Sequence, residues 1–430
     1  MIIKNFKSLS TTIPKKRTLS IIEAGLEAAL PRIQLEKIVF RNHLVISGKK
    51  FDLKKYDNVF VIAIGKAAYS MAESVNSLTR ITRGLIVVPK KTKTRLTRNF
   101  TVISSGHPLP DKNSVIAAKK ILEFLKHVKP GDFVIFLISG GTSSLVALPN
   151  GITLQEKQAI TGLMQKCGAT IHEINCIRKH LSKIKGGKLL EHLHSDGISL
   201  VMSDVVGDDL SSIASGITYY DKTSFSDAKK ILIKYNLEKS VPKSVLRHID
   251  LGTRGKILET PKREKIKNHI ISTNKICLDA MNMRAKNLGY HTKVLSCMSG
   301  NVKDLSVNIV KALSDKKINC VIFGGEPTVV VMGKGKGGRN QELTLYVTID
   351  LAVDLAKHDA KAIVASVGTD GIDGKTDCAG AIWRTDQKID KIMPYLNENN
   401  SYGFFKKYGG LIFTGPTGTN LMDVGLVIRQ

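Results

Sequence analysis

The segment Gly333-Lys334-Gly335-Lys336-Gly337-Gly338-Arg339 sets three basic side chains among four glycines, directly before Asn340-Gln341-Glu342. Glycine lets successive backbone N–H groups turn toward one point, and a helix opening at Asn340 would add the positive end of its dipole. With Lys334, Lys336 and Arg339 beside them, these groups are suited to hold an anion, above all phosphate. The segment also satisfies GxGxxG, but a dinucleotide fingerprint follows the first strand of a βαβ unit and has an acid about 20 residues on. Here two apolar runs, 320–323 and 328–332, stand close before it, separated by Gly324-Gly325-Glu326-Pro327, which suggests a hairpin. The interposed lysines suit bare phosphates better. Nicotinamide binding and a plain flexible turn remain as alternatives. No GxxxxGK[ST] stretch and no His-Arg-Asp catalytic loop occurs.

A second turn, Ser139-Gly140-Gly141-Thr142-Ser143-Ser144, follows the most apolar run of the chain. It can bind phosphate or carboxylate through N–H groups and hydroxyls, or be a simple strand-to-helix turn. Ser143 lacks the GxSxG setting of an acyl nucleophile. Lys66 ends another apolar run and Arg339 could grip an oxyanion bidentately. The base-dense stretch 172–188, HEINCIRKHLSKIKGGK, adds Lys188 as a candidate phosphate contact. The acids fall in three groups: Asp204/Asp208/Asp209, Glu326, and Asp370/Asp373/Asp377. Mg²⁺ usually takes one or two carboxylates plus substrate phosphates, which makes Asp208, Glu326 and Asp370 candidate ligands and Asp204 a candidate base. The alternative for each is a turn-forming Asp. His107, beside Pro108, is expected to be structural.

These residues require strands that end where they stand. Val59–Ile64, 84–88, 101–104, Phe133–Ile138 and 198–203 read as buried strands, with helices at 69–78, 114–127 and 153–166 between them. Thr153 and Glu156 are spaced as a capping box. Beyond a charged, aperiodic stretch from Arg254 to Lys267, expected to be a linker, the alternation resumes through 362–367 and 411–413. The expected fold class is α/β: two α/β domains with largely parallel sheets flanked by helices, and an active-site cleft between them. The expected boundaries are a frayed basic arm at 1–18, an amino-terminal domain at 19–255 and a carboxyl-terminal domain at 256–430.

At 430 residues and 42% hydrophobic, the chain is long enough for two cores. Its formal net charge of +28 admits nucleic acid, anionic membrane or acidic small substrates as partners. The Lys and Arg are spread over almost every segment, so a dedicated nucleic-acid surface is not expected. Six scattered cysteines without CxxC spacing point to a reducing, cytoplasmic setting and against structural zinc. No apolar run approaches the ~20 residues of a membrane span.

Taken together, IGKAA (Ile64–Ala68), SGHPLPD (Ser105–Asp111), ISGGTSSL (Ile138–Leu145), INCIRKHLSKIKGG (Ile174–Gly187) and SDVVGD (Ser203–Asp208) resemble the glycerate 2-kinases that carry a MOFRL carboxyl-terminal domain. GGEPTV, GKGKGGRNQE, GTDGIDG and TGPTGTN extend the resemblance through the second half, with the MOFRL region at about 318–425. The resemblance implies two α/β domains and ATP-dependent phosphorylation of D-glycerate at its 2-hydroxyl, with Mg²⁺ or another divalent metal. It implies Lys66 and Arg339 as the catalytic pair. A hydroxypyruvate reductase using NAD(P)H is the alternative enzyme, and a basic nucleic-acid-binding protein the alternative outside enzymes. The expected partners are small molecules, and a homo-oligomer is compatible with the sequence.

Overall fold

A computed structural model describes residues 1–430 apart from 47, 91, 96, 97, 356–360 and 388. The chain forms two compact units: residues 35–271, and residues 1–34 together with 272–430.

The 35–271 unit begins with a small antiparallel sheet of β1 (Val39–Phe40), β2 (His43–Ile46) and β3 (Lys49–Asp52). Its main sheet holds β4 (Val59–Ile64), β5 (Arg83–Pro89), β6 (Phe100–Ser105), β7 (Phe133–Ile138), β8 (Asp196–Met202) and β9 (Lys267–Ser272), in the order β6-β5-β4-β7-β8-β9. Each pairing from β6 to β8 is parallel. Every residue of β7 is buried, as expected for FVIFLI in a sheet covered on both faces. The intervening helices are capped by their own sequence. Asp111 and Ser114 form a reciprocal box before Lys112–Lys126, and Thr153 and Glu156 do so before Leu154–Lys166. The strand order reverses between β4 and β7, and an open α/β sheet binds its ligand at the carboxyl ends of the strands flanking such a point.

The second unit is built on β10 (Thr292–Asn301), β11 (Cys320–Thr328), β12 (Ala362–Gly368), β13 (Gly380–Arg384), β14 (Leu411–Ile412) and β15 (Asp423–Arg429), ordered β10-β11-β15-β12-β13-β14. Only β10 and β11 pair in parallel; the other four pairings are antiparallel. The α/β class holds, but this sheet is mixed. A continuous apolar run reads alike in either direction, so strand direction had no signature in the sequence.

Two further expectations change. The first eighteen residues are not a frayed arm. Ile3 is buried, its N–H donates to Glu23 at 2.9 Å, and Lys4 N–H donates to the Phe413 carbonyl at 2.7 Å. The Asn5 amide both donates to the Leu411 carbonyl and accepts from Phe413 N–H. The helix Ile13–Ala28 packs on Asn274–Asn287, and a Cβ on Gly25 would lie 2.7 Å from the Met281 side chain, so glycine sets how closely the two helices approach. Nor is the stretch 254–267 a linker. Thr260 is buried against Asp221, whose N–H donates to the Pro261 carbonyl, and Glu259 accepts from Phe225 N–H.

Candidate functional site

In the 35–271 unit the turns after β4 and β7 are locked together. Lys66 N–H donates to the Gly140 carbonyl at 2.8 Å, and Ala67 N–H to the Ser139 hydroxyl at 3.1 Å. The Thr142 hydroxyl donates to the Ile64 carbonyl at 2.8 Å. Gly65 has φ +134°, and a Cβ there would meet the Ser139 hydroxyl at 2.1 Å, so no other residue fits. Gly141 has φ +86°, and a Cβ on it would lie 2.9 Å from the His107 ring and 3.4 Å from the Lys66 side chain. Lys66, His107 and Gly141 are therefore neighbours at the reversal point, and Asp204 follows β8 one strand over.

Within this turn the residues divide into those that build and those that face outward. Ser139 and Gly140 are buried and spent on the turn itself. Ser143 is half-buried, its hydroxyl 2.8 Å from that of Ser215. Lys188 is not a surface phosphate contact. It is buried, its ammonium donates to the carbonyls of Lys179 (3.2 Å) and Ser182 (2.8 Å), and burial lowers its pKa to about 8. Asp208 has φ +55°, with its N–H on the Val205 carbonyl.

In the other unit Arg339 is held by two acids. Its guanidinium reaches Asp423 at 2.5 Å through Nε and at 3.2 Å through the far nitrogen, and Glu326 at 3.2 Å. Asp423 is buried, and burial pushes its carboxyl up to about 7 against the pull of Arg339. Gly325 and Gly368 both register with Asp423 across β11, β15 and β12, so Glu326, Asp423 and Asp370 gather at one end of this sheet. A Cβ on Gly368 would lie 3.3 Å from both the Asp370 and the Asp423 carboxylates.

The glycine-rich segment is not the anion cradle its composition suggested. Met332 and Gly333 N–H groups donate to the Asn399 side chain, Gly335 N–H to the Glu398 carbonyl, and Lys336 N–H to the Asn400 side chain. A Cβ on Gly333, Gly335 or Gly337 would strike residues 398–401 at 2.2–2.4 Å, so these glycines serve close packing. Lys334 and Lys336 are exposed, Lys336 lying 4.4 Å from the Tyr402 ring centroid.

The start of the helix Arg339–Leu355 is also filled from within. The Asp373 carboxylate accepts from the N–H groups of Asn340 (3.0 Å) and Gln341 (2.9 Å) and from both their side-chain amides. Asn340 is buried, its side-chain oxygen taken by the Ser366 hydroxyl, and Gly338 is the residue that lets Asp373 approach. Asp373 thus stands where a phosphate was expected. Asp373→Ala should destabilise the protein by roughly 3 kcal/mol, because it strips a buried first turn of its acceptor. Urea unfolding against the parent protein measures this, and a loss below about 0.5 kcal/mol would contradict it.

The expected hairpin before this segment is likewise absent. β11 runs straight through Glu326 and Pro327, in register with Ser299 and Gly300 of β10, and Val330, Val331 and Met332 are exposed. Among the described residues no group of three or more His, Cys, Asp or Glu side chains is arranged to hold a metal ion, so Asp208, Glu326 and Asp370 do not form a ready cage. Sequence reading missed Asp423, whose only signal was an acid set in an apolar strand. It also set aside His107, which only its contact with Gly141 brings beside Lys66.

Comparison with known proteins decides the family. Residues 17–250 match the domain of unknown function DUF4147, and residues 319–423 match the MOFRL family. A glycerate 2-kinase of Pyrococcus horikoshii is 39% identical over 95% of this chain and 96% of its own length. The chain belongs to the MOFRL-type glycerate 2-kinase family. A D-glycerate 2-kinase of Thermotoga maritima is 36% identical over 96% of this chain and 98% of its own. The crystal structure of a glycerate kinase from Thermotoga maritima superposes with a TM-score of 0.80 at 33% identity, covering 96% of this chain and 98% of that one. Lys66, His107, the Ser139 turn and Asp204 lie in the DUF4147 portion of this kinase family, and Arg339, Glu326, Asp370 and Asp423 in the MOFRL portion or at its last residue.

Proposed function

We propose that this protein is an ATP-dependent D-glycerate 2-kinase, producing 2-phosphoglycerate and ADP. The observation that carries the reading is its likeness, over nearly the whole chain, to proteins named for that activity. The β4/β7 reversal supports it, because Lys66 and the Ser139–Ser144 turn stand where an open sheet takes a small ligand.

In this reading the 2-hydroxyl oxygen of glycerate attacks the γ-phosphorus of ATP. The bond from that phosphorus to the bridging oxygen breaks, ADP leaves, and the hydroxyl proton passes to a carboxylate, for which Asp204 is the candidate. Lys66 and Arg339, the pair the family resemblance points to, are each suited to offset charge on phosphoryl oxygens, the main protein contribution in such transfers. Arg339 can be placed so firmly because Asp423 and Glu326 hold its fork from behind.

Carboxylates such as Asp370 and Glu326 are hard oxygen donors of the kind Mg²⁺ accepts alongside substrate phosphates. A bound Mg²⁺ would supply charge neutralisation of those phosphates. The GxGxxG segment lends the reductase reading no support, since the N–H groups of Gly333, Gly335 and Lys336 are taken by residues 398–400. All six cysteines are free, which suits a reducing cytoplasm. No described helix is long and apolar enough to cross a membrane.

Incubation with D-glycerate, ATP and Mg²⁺, with the product resolved by phosphorus NMR, is expected to show 2-phosphoglycerate. A 3-phosphoglycerate signal would keep the kinase and overturn the position of attack. No phosphorylated product from folded protein would overturn the kinase and direct the next assay to hydroxypyruvate with NAD(P)H.

A further inference from the structure

Behind the Ser139–Ser144 turn, the 35–271 unit holds basic side chains that no acid pairs with among the described residues. Lys157 lies on the inner face of Leu154–Lys166, three residues before Ile160 and seven before Met164. Both of those pack in one apolar cluster with Ile174 and Ile177 of the helix Ile171–His180. Lys157 is only 5% exposed, and its ammonium has no hydrogen-bond partner among the described residues. Lys185 is 0% exposed, and its ammonium donates to the Ser143 carbonyl at 3.1 Å. Arg178 is half-buried on the helix Ile171–His180. No ion pair joins any of these three to a carboxylate among the described residues.

The neighbouring cations of the same stretch are treated differently. Lys179 is paired with Asp221 at 3.1 Å, and Lys188 is capped by two carbonyls. Burial lowers the pKa of Lys157 to about 8 and that of Lys185 well below the ordinary lysine range. The charges lower one another further: Arg178 acts on Lys157, and both act on Lys185, so the three lie within electrostatic reach. A buried cation without a partner, such as Lys157, is strongly disfavoured, and with Lys185 and Arg178 close by and no carboxylate paired to any of them among the described residues, the group calls for an anion. The cluster also connects to the turn. Lys185 binds Ser143, the Ser143 hydroxyl lies 2.8 Å from that of Ser215, and Ser215 donates to Asn175 at 2.9 Å.

We propose that Lys157, Arg178 and Lys185 form the receiving site for a small oxyanion of the substrates, either the carboxylate of the hydroxy acid or a phosphoryl group. This deepens the kinase reading of the same turn and rests on it. Charge that composition alone would assign to the surface is, in this cluster, internal and directed at a ligand.

The test is isothermal titration of the full, nucleotide-free chain with D-glycerate in one arm and inorganic phosphate in the other, parent protein against Lys157→Met. Methionine keeps the apolar stem and removes the charge, so the ligand-free variant should melt at or above the parent temperature. The parent is expected to bind at least one of the two anions, and Lys157→Met to weaken that binding ten-fold or more. Loss in the glycerate arm assigns the carboxylate, and loss in the phosphate arm the phosphoryl group. Equal affinity in parent and variant, or no binding of either anion by the parent, overturns the proposal. Should Lys157→Met not fold, Arg178→Met is read the same way. Failure of the kinase reading would show separately, as absent phosphorylated product from a parent protein whose anion binding still depends on Lys157.

Discussion

Lys66→Ala is expected to lower kcat/KM for glycerate phosphorylation by about 10³-fold while leaving thermal unfolding nearly unchanged. The fold uses the backbone of this residue to lock the β4 and β7 turns, through Lys66 N–H and the Gly140 carbonyl. Alanine keeps that bond. Steady-state kinetics with both substrates varied, beside a melting curve, separates the two effects. Turnover within ten-fold of the parent would remove Lys66 from phosphoryl transfer.

Arg339→Ala is expected to cost both activity and stability, and the structure gives the reason for the second. Asp423 is buried and reached by two nitrogens of this guanidinium. Without it the ionised carboxylate loses its counter-charge, at a cost of about 3 kcal/mol at pH well above 7. Burial already raises the Asp423 pKa from 3.8 toward 7, and loss of Arg339 raises it further. The penalty is therefore absent while Asp423 is protonated with or without the arginine, and grows as pH climbs through about 7, because only the ionised form needs the arginine. Unfolding measured at pH 5 and pH 9 should show the deficit mainly at pH 9. Adding Asp423→Asn should recover most of the stability and none of the turnover, and recovery of both would make Arg339 purely structural. Arg339→Lys restores a charge but not the fork that spans Asp423 and Glu326, so its turnover should stay far below the parent value.

Much of the 35–271 unit could be read from local pattern. Val59–Ile64 and Phe133–Ile138 are strands with the expected bounds, and Thr153 caps its helix with Glu156 as their spacing requires. A continuous apolar run stopped by glycine, and a side chain three residues from its cap, are short-range signals carried by the residues themselves. By the same logic the sequence placed Lys66, the Ser139 turn and Asp204 at strand ends, which is where they lie.

The sequence by itself therefore determined the α/β class, the strand ends that carry Lys66, the Ser139 turn and Asp204, and the family. Tertiary structure alone decided what those ends do. Asp373 occupies the helix start 33 residues before it in the chain, and Asp423 takes Arg339 from 84 residues away. Residues 398–400 take the N–H groups of Gly333, Gly335 and Lys336, and Lys157 and Lys185 turn inward without a paired carboxylate among the described residues. The physical reason is common to all four. Whether a polar group is free for a ligand depends on the partner that burial brings to it, and that partner lies far along the chain, outside any local pattern.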